Sequence, residues 1–461
     1  GTHLSSLDTI DGGAGTDELR FTDSGSATSD LDGVTNVETV TLGDSATSVT
    51  TVDGLVGAGQ TLTVSAAALT GTNALTWDGS AETNGSFDIT GSSQADTITG
   101  GDSDDIINGG AGADTVTAGS GDDTISGGAD ADTIILGTHL SSLDTIDGGA
   151  GTDELRFTDS GSATSDLDGV TNVETVTLGD SATSVTTVDG LVGAGQTLTV
   201  SAAALTGTNA LTWDGSAETN GSFDITGSSQ ADTITGGAGA DTVTAGSGDD
   251  TITGGADADT IIFGTHLSSL DTIDGGAGTD ELRFTDSGSA TSDLDGVTNV
   301  ETVTLGDSAT SVTTVDGLVG AGQTLTVSAA ALTGTNALTW DGSAETNGSF
   351  DITGSSQADT ITGGDSDDII NGGAGDDTLN FVSGADLAKD VSIDGGVGTD
   401  TVTFTQNGIV DVDDSDFVSV SNIEAIAFGD GNNVSVLSTN VAAASAASPL
   451  RISSGTGNDE F

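Results

Sequence analysis

Between residues 91 and 135 one apolar residue returns at every ninth place: Ile98, Ile107, Val116, Ile125 and Ile134. An aspartate stands two places before each of them, at Asp96, Asp105, Asp114, Asp123 and Asp132. A helical face would repeat every three or four residues and a long strand every two, so this spacing fits neither. It predicts a short strand per nine-residue unit, its middle side chain directed inward, with a tight turn between units. The units are GSSQADTIT, GGDSDDIIN, GGAGADTVT, AGSGDDTIS and GGADADTII, in unbroken register from Gly91 to Ile135, and their glycines suit the left-handed backbone of such turns. Elsewhere the alternation has period two: VETVTL at 37–42, TLTVS at 61–65, ALTW at 74–77 and SFDIT at 86–90 read as further strands. Only VSAAAL at 64–69 hints at a helical period.

The chain is built of copies. GTHLSSLDTIDGGAGTDELRF begins at Gly1, Gly137 and Gly264, and the copies stay identical through Thr99, Thr235 and Thr362. The second interval is shorter than the first, and what it lacks is the single unit GGDSDDIIN. A unit that drops out whole points to stacked coils rather than a globule. Four segments follow: 1–136 with nine-residue units at 91–135, 137–263 with units at 227–262, 264–380 with units at 354–380, and a divergent partial copy at 381–461. The expected fold is all-β, a right-handed parallel β-solenoid in which tight rolls alternate with wider coils of a parallel β-helix. About 20 to 25 coils at ~4.8 Å each would make a rod on the order of 100 Å long. The competing reading of the wider stretches is an antiparallel sandwich between Phe21 and Ile89.

Composition sharpens this picture. Seventy-two acidic residues face five basic ones, a net charge of -67, which argues against nucleic acid and anionic membranes as partners. Cysteine, methionine and tyrosine are absent and proline occurs once, which rules out disulfide scaffolds and collagen. No apolar run approaches the ~18 residues of a membrane span. With 34% hydrophobic residues against such a charge, folding calls for an external neutralising partner.

The nonapeptides resemble the glycine-rich calcium-binding repeats of the repeats-in-toxin (RTX) family, whose pattern GGxGxDxUx is met outright at Gly109 to Thr117. Further units follow at Gly148, Gly236 and Gly275, whereas GSSQADTIT and FVSGADLAK at 381–389 depart from the pattern and are expected to hold metal weakly or not at all. Two units make one coil, so an aspartate and its counterpart two units later lie one strand spacing apart. Calcium, which takes six to eight oxygens including backbone carbonyls, would relieve their repulsion. The expected pairs are Asp96 with Asp114, Asp105 with Asp123, Asp114 with Asp132, Asp232 with Asp250, Asp241 with Asp259, and Asp359 with Asp377. Across the longer GTHL loop come Asp123 with Asp144, Asp132 with Asp153, Asp250 with Asp271, and Asp259 with Asp280; Asp368 completes the expected metal ligands.

Other residues carry less. Asn36, Asn172, Asn299 and Asn422 open NVE or NIE and read as turn residues, or as further calcium ligands. Trp77, Trp213 and Trp340 read as core, Arg20, Arg156 and Arg283 as local ion pairs, and His3, His139 and His266 as surface-loop residues. No HExxH, GxSxG or P-loop is present, and no enzymatic activity is expected. The resemblance implies a calcium-rigidified segment of a bacterial extracellular surface protein, in a surface layer, filament or matrix. Its partners would be copies of itself and cell-surface polysaccharide. Alternatives are the spacer of a giant RTX adhesin or the calcium module of a secreted enzyme. An ice-binding roll would need an outward Thr and Asn on every turn, and GTGND occurs only at 455–459. Because Gly1 enters mid-copy and the last unit stops one residue short, an excerpt of a longer protein is expected, its export signal and any anchor lying elsewhere.

Overall fold

A computed structural model describes residues 4, 8–22, 27–137, 140–158, 164–181, 183–264, 267–285, 291–308, 310–406, 411–413, 415–429, 434–436 and 451–453, with backbone alone at 27–30, 164–166, 291–293, 411, 413 and 434–436. The three histidines and the GTGND segment lie outside these residues. Contacts divide the chain into two units, Gly1–Gly239 and Ala240–Phe461.

Within the first unit the chain passes back and forth between parallel sheets. One sheet stacks Glu18–Arg20, Thr39–Thr41, Thr61–Ser65, Ser86–Thr90, Ile106–Ala111, Thr124–Ala129, Thr145–Ala150 and Val170–Thr171. Another receives the strands between them, among them Thr47–Thr50, Leu75–Asp78, Thr97–Thr99, Thr115–Thr117 and Thr133–Leu136. In the roll, each residue pairs with the one two nonapeptides on, as in Ile89 with Ile107 and Ile98 with Val116. In the wider stretch the intervals lengthen, as in Thr39 with Thr63, Thr61 with Ser86, and Thr47 with Leu75. The wide stretches are therefore longer coils of the same parallel stack, with extra residues spent in turns, and the antiparallel alternative is excluded. VSAAAL forms no helix: it is the end of the strand Thr61–Ser65 and a following turn.

The second unit repeats the pattern. Thr242–Thr244, Thr260–Phe263, Glu281–Phe284, Thr302–Thr304, Thr324–Ser328, Ser349–Thr353 and Ile369–Asn371 share one sheet, and Leu338–Asp341, Thr360–Thr362, Thr378–Phe381 and Thr401–Phe404 lie in another. FVSGADLAK is not a nonapeptide turn: Gly384–Leu387 is a short helix, N-capped by Ser383, whose hydroxyl accepts the Asp386 N–H, and it buries Leu387.

Alternation decides what is buried. Ile89, Ile98, Ile107, Val116, Ile125 and Ile134 are all buried, as are the tryptophans, each meeting a phenylalanine edge to face at about 5.5 Å (Trp77 with Phe87, Trp213 with Phe223, Trp340 with Phe350). Each such side chain contributes on the order of 1.5 to 3 kcal/mol through burial. The threonines between them face outward.

The first two copies differ in phase. In the first copy SFDIT (Ser86–Thr90) joins one sheet and LTWD (Leu75–Asp78) the other; the sheet that holds the first LTWD goes on to take the second copy's SFDIT at Ser222–Thr226. The same exchange places the first ELR and TLTVS in one sheet and the second ELRF and TLTVS in the other.

Candidate metal centre

The turns follow from the position of each glycine. The first glycine of a unit has no room for a side chain: a Cβ on Gly109 would lie 2.4 Å from Asp114 Oδ2 and 2.5 Å from the Gly127 carbonyl oxygen of the next coil. The second glycine turns left-handed, as at Gly110, where φ is +113°. The aspartate at the sixth place then folds under its own turn and is almost wholly buried. That holds for all sixteen expected ligands: Asp96, Asp105, Asp114, Asp123, Asp132, Asp144, Asp153, Asp232, Asp241, Asp250, Asp259, Asp271, Asp280, Asp359, Asp368 and Asp377.

These carboxylates form ladders. Asp114 Oδ1 accepts the backbone N–H of Asp96 at 2.7 Å, Asp132 that of Asp114 at 2.8 Å, and Asp153 that of Asp132 at 2.8 Å. On the other edge Asp123 accepts from Asp105 and Asp144 from Asp123. In the second unit Asp259, Asp271, Asp280 and Asp377 accept from Asp241, Asp250, Asp259 and Asp359. Each expected pair that lies within one unit is thus brought together across neighbouring coils, through a carboxylate bound to a backbone amide.

The second carboxylate oxygen divides the aspartates into two kinds. Asp96, Asp232 and Asp359 accept at Oδ2 from the N–H of Ser92, Ser228 and Ser355, each turn closing on its own side chain. Asp105 and Asp368 do the same with Gly101 and Gly364, and Asp144 and Asp271 with Ser141 and Ser268. By contrast, Oδ2 of Asp114, Asp132, Asp153, Asp259, Asp280, Asp377 and Asp400 is buried without a hydrogen-bond partner. Burial pushes the carboxyls of Asp114, Asp259 and Asp377 up to about 7, and those of Asp132 and Asp400 up to about 6, with repulsion from neighbouring carboxylates adding to the shift.

A hard cation fits these oxygens. An unpartnered carboxylate oxygen and a carbonyl from the next coil flank the space that Gly109, Gly127, Gly254 and Gly372 each keep free of a side chain. Among the described residues no three acidic or imidazole groups converge, so an ion would be held largely by carbonyls and by carboxylates from successive turns, the donor set calcium accepts. Calcium would supply the positive charge that the buried carboxylates lack.

Several residues of this site are not among those expected from the sequence. Asp400 accepts from Asp377, and Asp390 from Asp368, extending both ladders of the third roll. Glu174, Glu301 and Glu424 take the aspartate's place on the next coil, accepting the N–H of Asp153, Asp280 and Asp400, and Glu38 does so for Asp17. The asparagine two places before each glutamate sits at φ of 50° to 53° and donates to an aspartate one coil earlier, as Asn172 does to Asp147 at 2.7 Å. These asparagines are turn residues. In the wide coils Glu82, Glu218 and Glu345 are fully buried in nests of backbone amides; Glu345 accepts from Gly317, Val319, Asn347 and Gly348. Burial raises its carboxyl, but those four bonds outweigh burial and hold it below its ordinary value. Arg20, Arg156 and Arg283 each pair with the glutamate two residues earlier.

No helix among the described residues is long and apolar enough to cross a membrane. No curated protein matches the chain. The profile of the RTX calcium-binding nonapeptide repeat matches residues 7–21, 88–116, 109–138, 143–157, 226–261, 270–284 and 353–388, which include every expected aspartate and none of the central wide-coil strands. With its turns, its carboxylate ladders and these matches in agreement, the chain carries RTX nonapeptide repeats of the calcium-binding kind over these residues.

Proposed function

We propose that this chain is a calcium-rigidified structural segment of a bacterial extracellular surface protein, one that packs against copies of itself and against cell-surface polysaccharide, with no catalysis of its own. The observation that carries the reading is the row of buried carboxylate oxygens without hydrogen-bond partners, in a chain of net charge -67. Such a fold gains most of its stability at neutral pH where a divalent cation is abundant, as outside the cell, because buried anions without a counter-charge are strongly destabilising. Identical copies repeat one surface at intervals, which suits assembly and is a poor way to build a single catalytic pocket.

The experiment images the native assembly in millimolar calcium and after chelation, alongside assays of the purified chain on protein, lipid and alginate. An ordered array that loosens on chelation, with no turnover, is the expected result. A rod that never self-associates in calcium would replace this reading with an adhesin spacer, and turnover would replace it with an enzyme module.

A further inference from the structure

The nonapeptides share one sequence pattern, yet their aspartates do not share one hydrogen-bonding state, and the difference follows from the second residue of each turn. Where that residue is a glycine with positive φ (Gly110 +113°, Gly128 +119°, Gly149 +103°, Gly255 +130°, Gly276 +106°, Gly373 +101°, Gly396 +94°), the aspartate below, at 114, 132, 153, 259, 280, 377 and 400, has an unpartnered Oδ2. Where it is Ser92, Gly101, Ser355 or Gly364, none of which has positive φ, its N–H points into the turn and binds that oxygen at 2.5 to 2.7 Å. Asp96 is saturated further: Oδ1 accepts both the Leu75 N–H at 2.7 Å and the Ser92 hydroxyl at 2.8 Å. In the shorter GTHL-side turns, Ser141 and Ser268 cap Asp144 and Asp271 in the same way.

An amide hydrogen aimed at Oδ2 occupies the lone pair a cation would take and sets its positive end against the ion. The backbone has done for these aspartates what calcium would do for the others. An ion held between coils needs open oxygens on two successive rungs. Asp114 with Asp132, Asp132 with Asp153, Asp259 with Asp280, and Asp377 with Asp400 meet that condition. Asp123 has a turned glycine above it, Gly119 at +110°, but both its neighbours, Asp105 and Asp144, are self-capped.

We infer that calcium in the first roll loads in single file along the edge of Asp114, Asp132 and Asp153, while the opposite edge of Asp105, Asp123 and Asp144 is closed by its own backbone and takes none. In the second unit the open pairs are Asp259 with Asp280, beside one sheet, and Asp377 with Asp400, beside the other, and Asp271 and Asp368 are without ions. This rests on the calcium reading above and goes beyond the repeat pattern, which treats both edges alike.

Crystals of the unaltered chain grown in calcium, measured for anomalous scattering, test it directly. Peaks beside the open pairs and none beside Asp105, Asp144, Asp271 and Asp368 are expected. Counting bound calcium by native mass spectrometry gives a second readout: Asp132→Asn, shared by two sites, should lower the count by about two, and Asp105→Asn should leave it unchanged. Peaks of equal strength on both edges of the first roll, or equal loss from the two variants, would overturn the single file while leaving calcium binding intact. No calcium uptake by the unaltered chain would instead overturn the proposed function.

Discussion

Calcium should reverse the pH dependence of this protein's stability, and Asp114 shows by how much. Burial raises its carboxyl from an ordinary 3.8 to about 7, so the calcium-free folded state holds a proton there that the unfolded chain has already released. Such a rise favours protonation in the fold by about 4 kcal/mol, at ~1.4 kcal/mol per tenfold. Solvent near the turn screens roughly half of it, leaving about 2 kcal/mol. Without calcium, the folded state is favoured at low pH and loses that contribution as pH rises from about 4 through about 7. Asp259 and Asp377 titrate in the same window and the same direction. With calcium bound the carboxylates must be ionised to hold it, so acidification across that window now weakens the fold. Urea unfolding followed by far-UV circular dichroism, on calcium-stripped and calcium-loaded protein between pH 5 and 8, reads both slopes. General charge repulsion also eases on acidification, and Asp114→Asn separates the two effects. Without calcium the variant should be more stable than the parent at pH 8 by the same screened amount, about 2 kcal/mol, with the gap narrowing toward pH 5 and closing only below about pH 4. Parallel pH slopes with and without calcium, or a variant less stable at pH 8, would refute the reasoning.

The remaining predictions concern the frame around the ions. Gly109→Ala places a Cβ within 2.5 Å of two oxygens and should cost about 2 to 3 kcal/mol, with calcium affinity at the 114/132 pair falling together with thermal stability. Asn172→Ala forces a residue at φ 51° and removes the bond to Asp147; a loss of about 1 to 2 kcal/mol by chemical denaturation is expected, and Asn172→Gly should restore part of it. Trp77→Ala empties a fully buried site and should cost about 3 to 5 kcal/mol locally, read by amide hydrogen exchange at Thr97–Thr99 and Thr47–Thr50.

The rolls are legible in the sequence because one physical requirement, an inward apolar residue and a carboxylate two places before it, recurs at a fixed count. Ile98, Ile107 and Val116 stack where that count places them. Legibility fades where the count changes. Glu174 lies 21 residues after Asp153 and carries one more methylene, so its place on the carboxylate ladder is hidden until the longer coil brings it there. Asp400 is 23 residues after Asp377 and escapes for the same reason. The helix Gly384–Leu387 did leave a signal, Ser383 three places before Asp386, but counting in nines reads through it. Nothing periodic marks Glu82, whose partners are amides of its own turn and of Val56, 26 residues away. The split between capped and open aspartates rests on the sign of one φ angle, and Gly101 and Gly110, the same residue type at the same place in the unit, take opposite states.

The half-coil offset between the first two copies has an outcome for any surface this protein covers. A nine-residue unit is half a coil, so inserting or deleting one exchanges the two sides for everything that follows. In the first unit the outward threonines of one ELR, TVT and TLTVS segment look one way, and those of its identical successor look the other. One repeated sequence therefore offers the same handhold to neighbours on its left and on its right, and the number of nine-residue units between two copies acts as the clocking that decides which neighbour each copy greets.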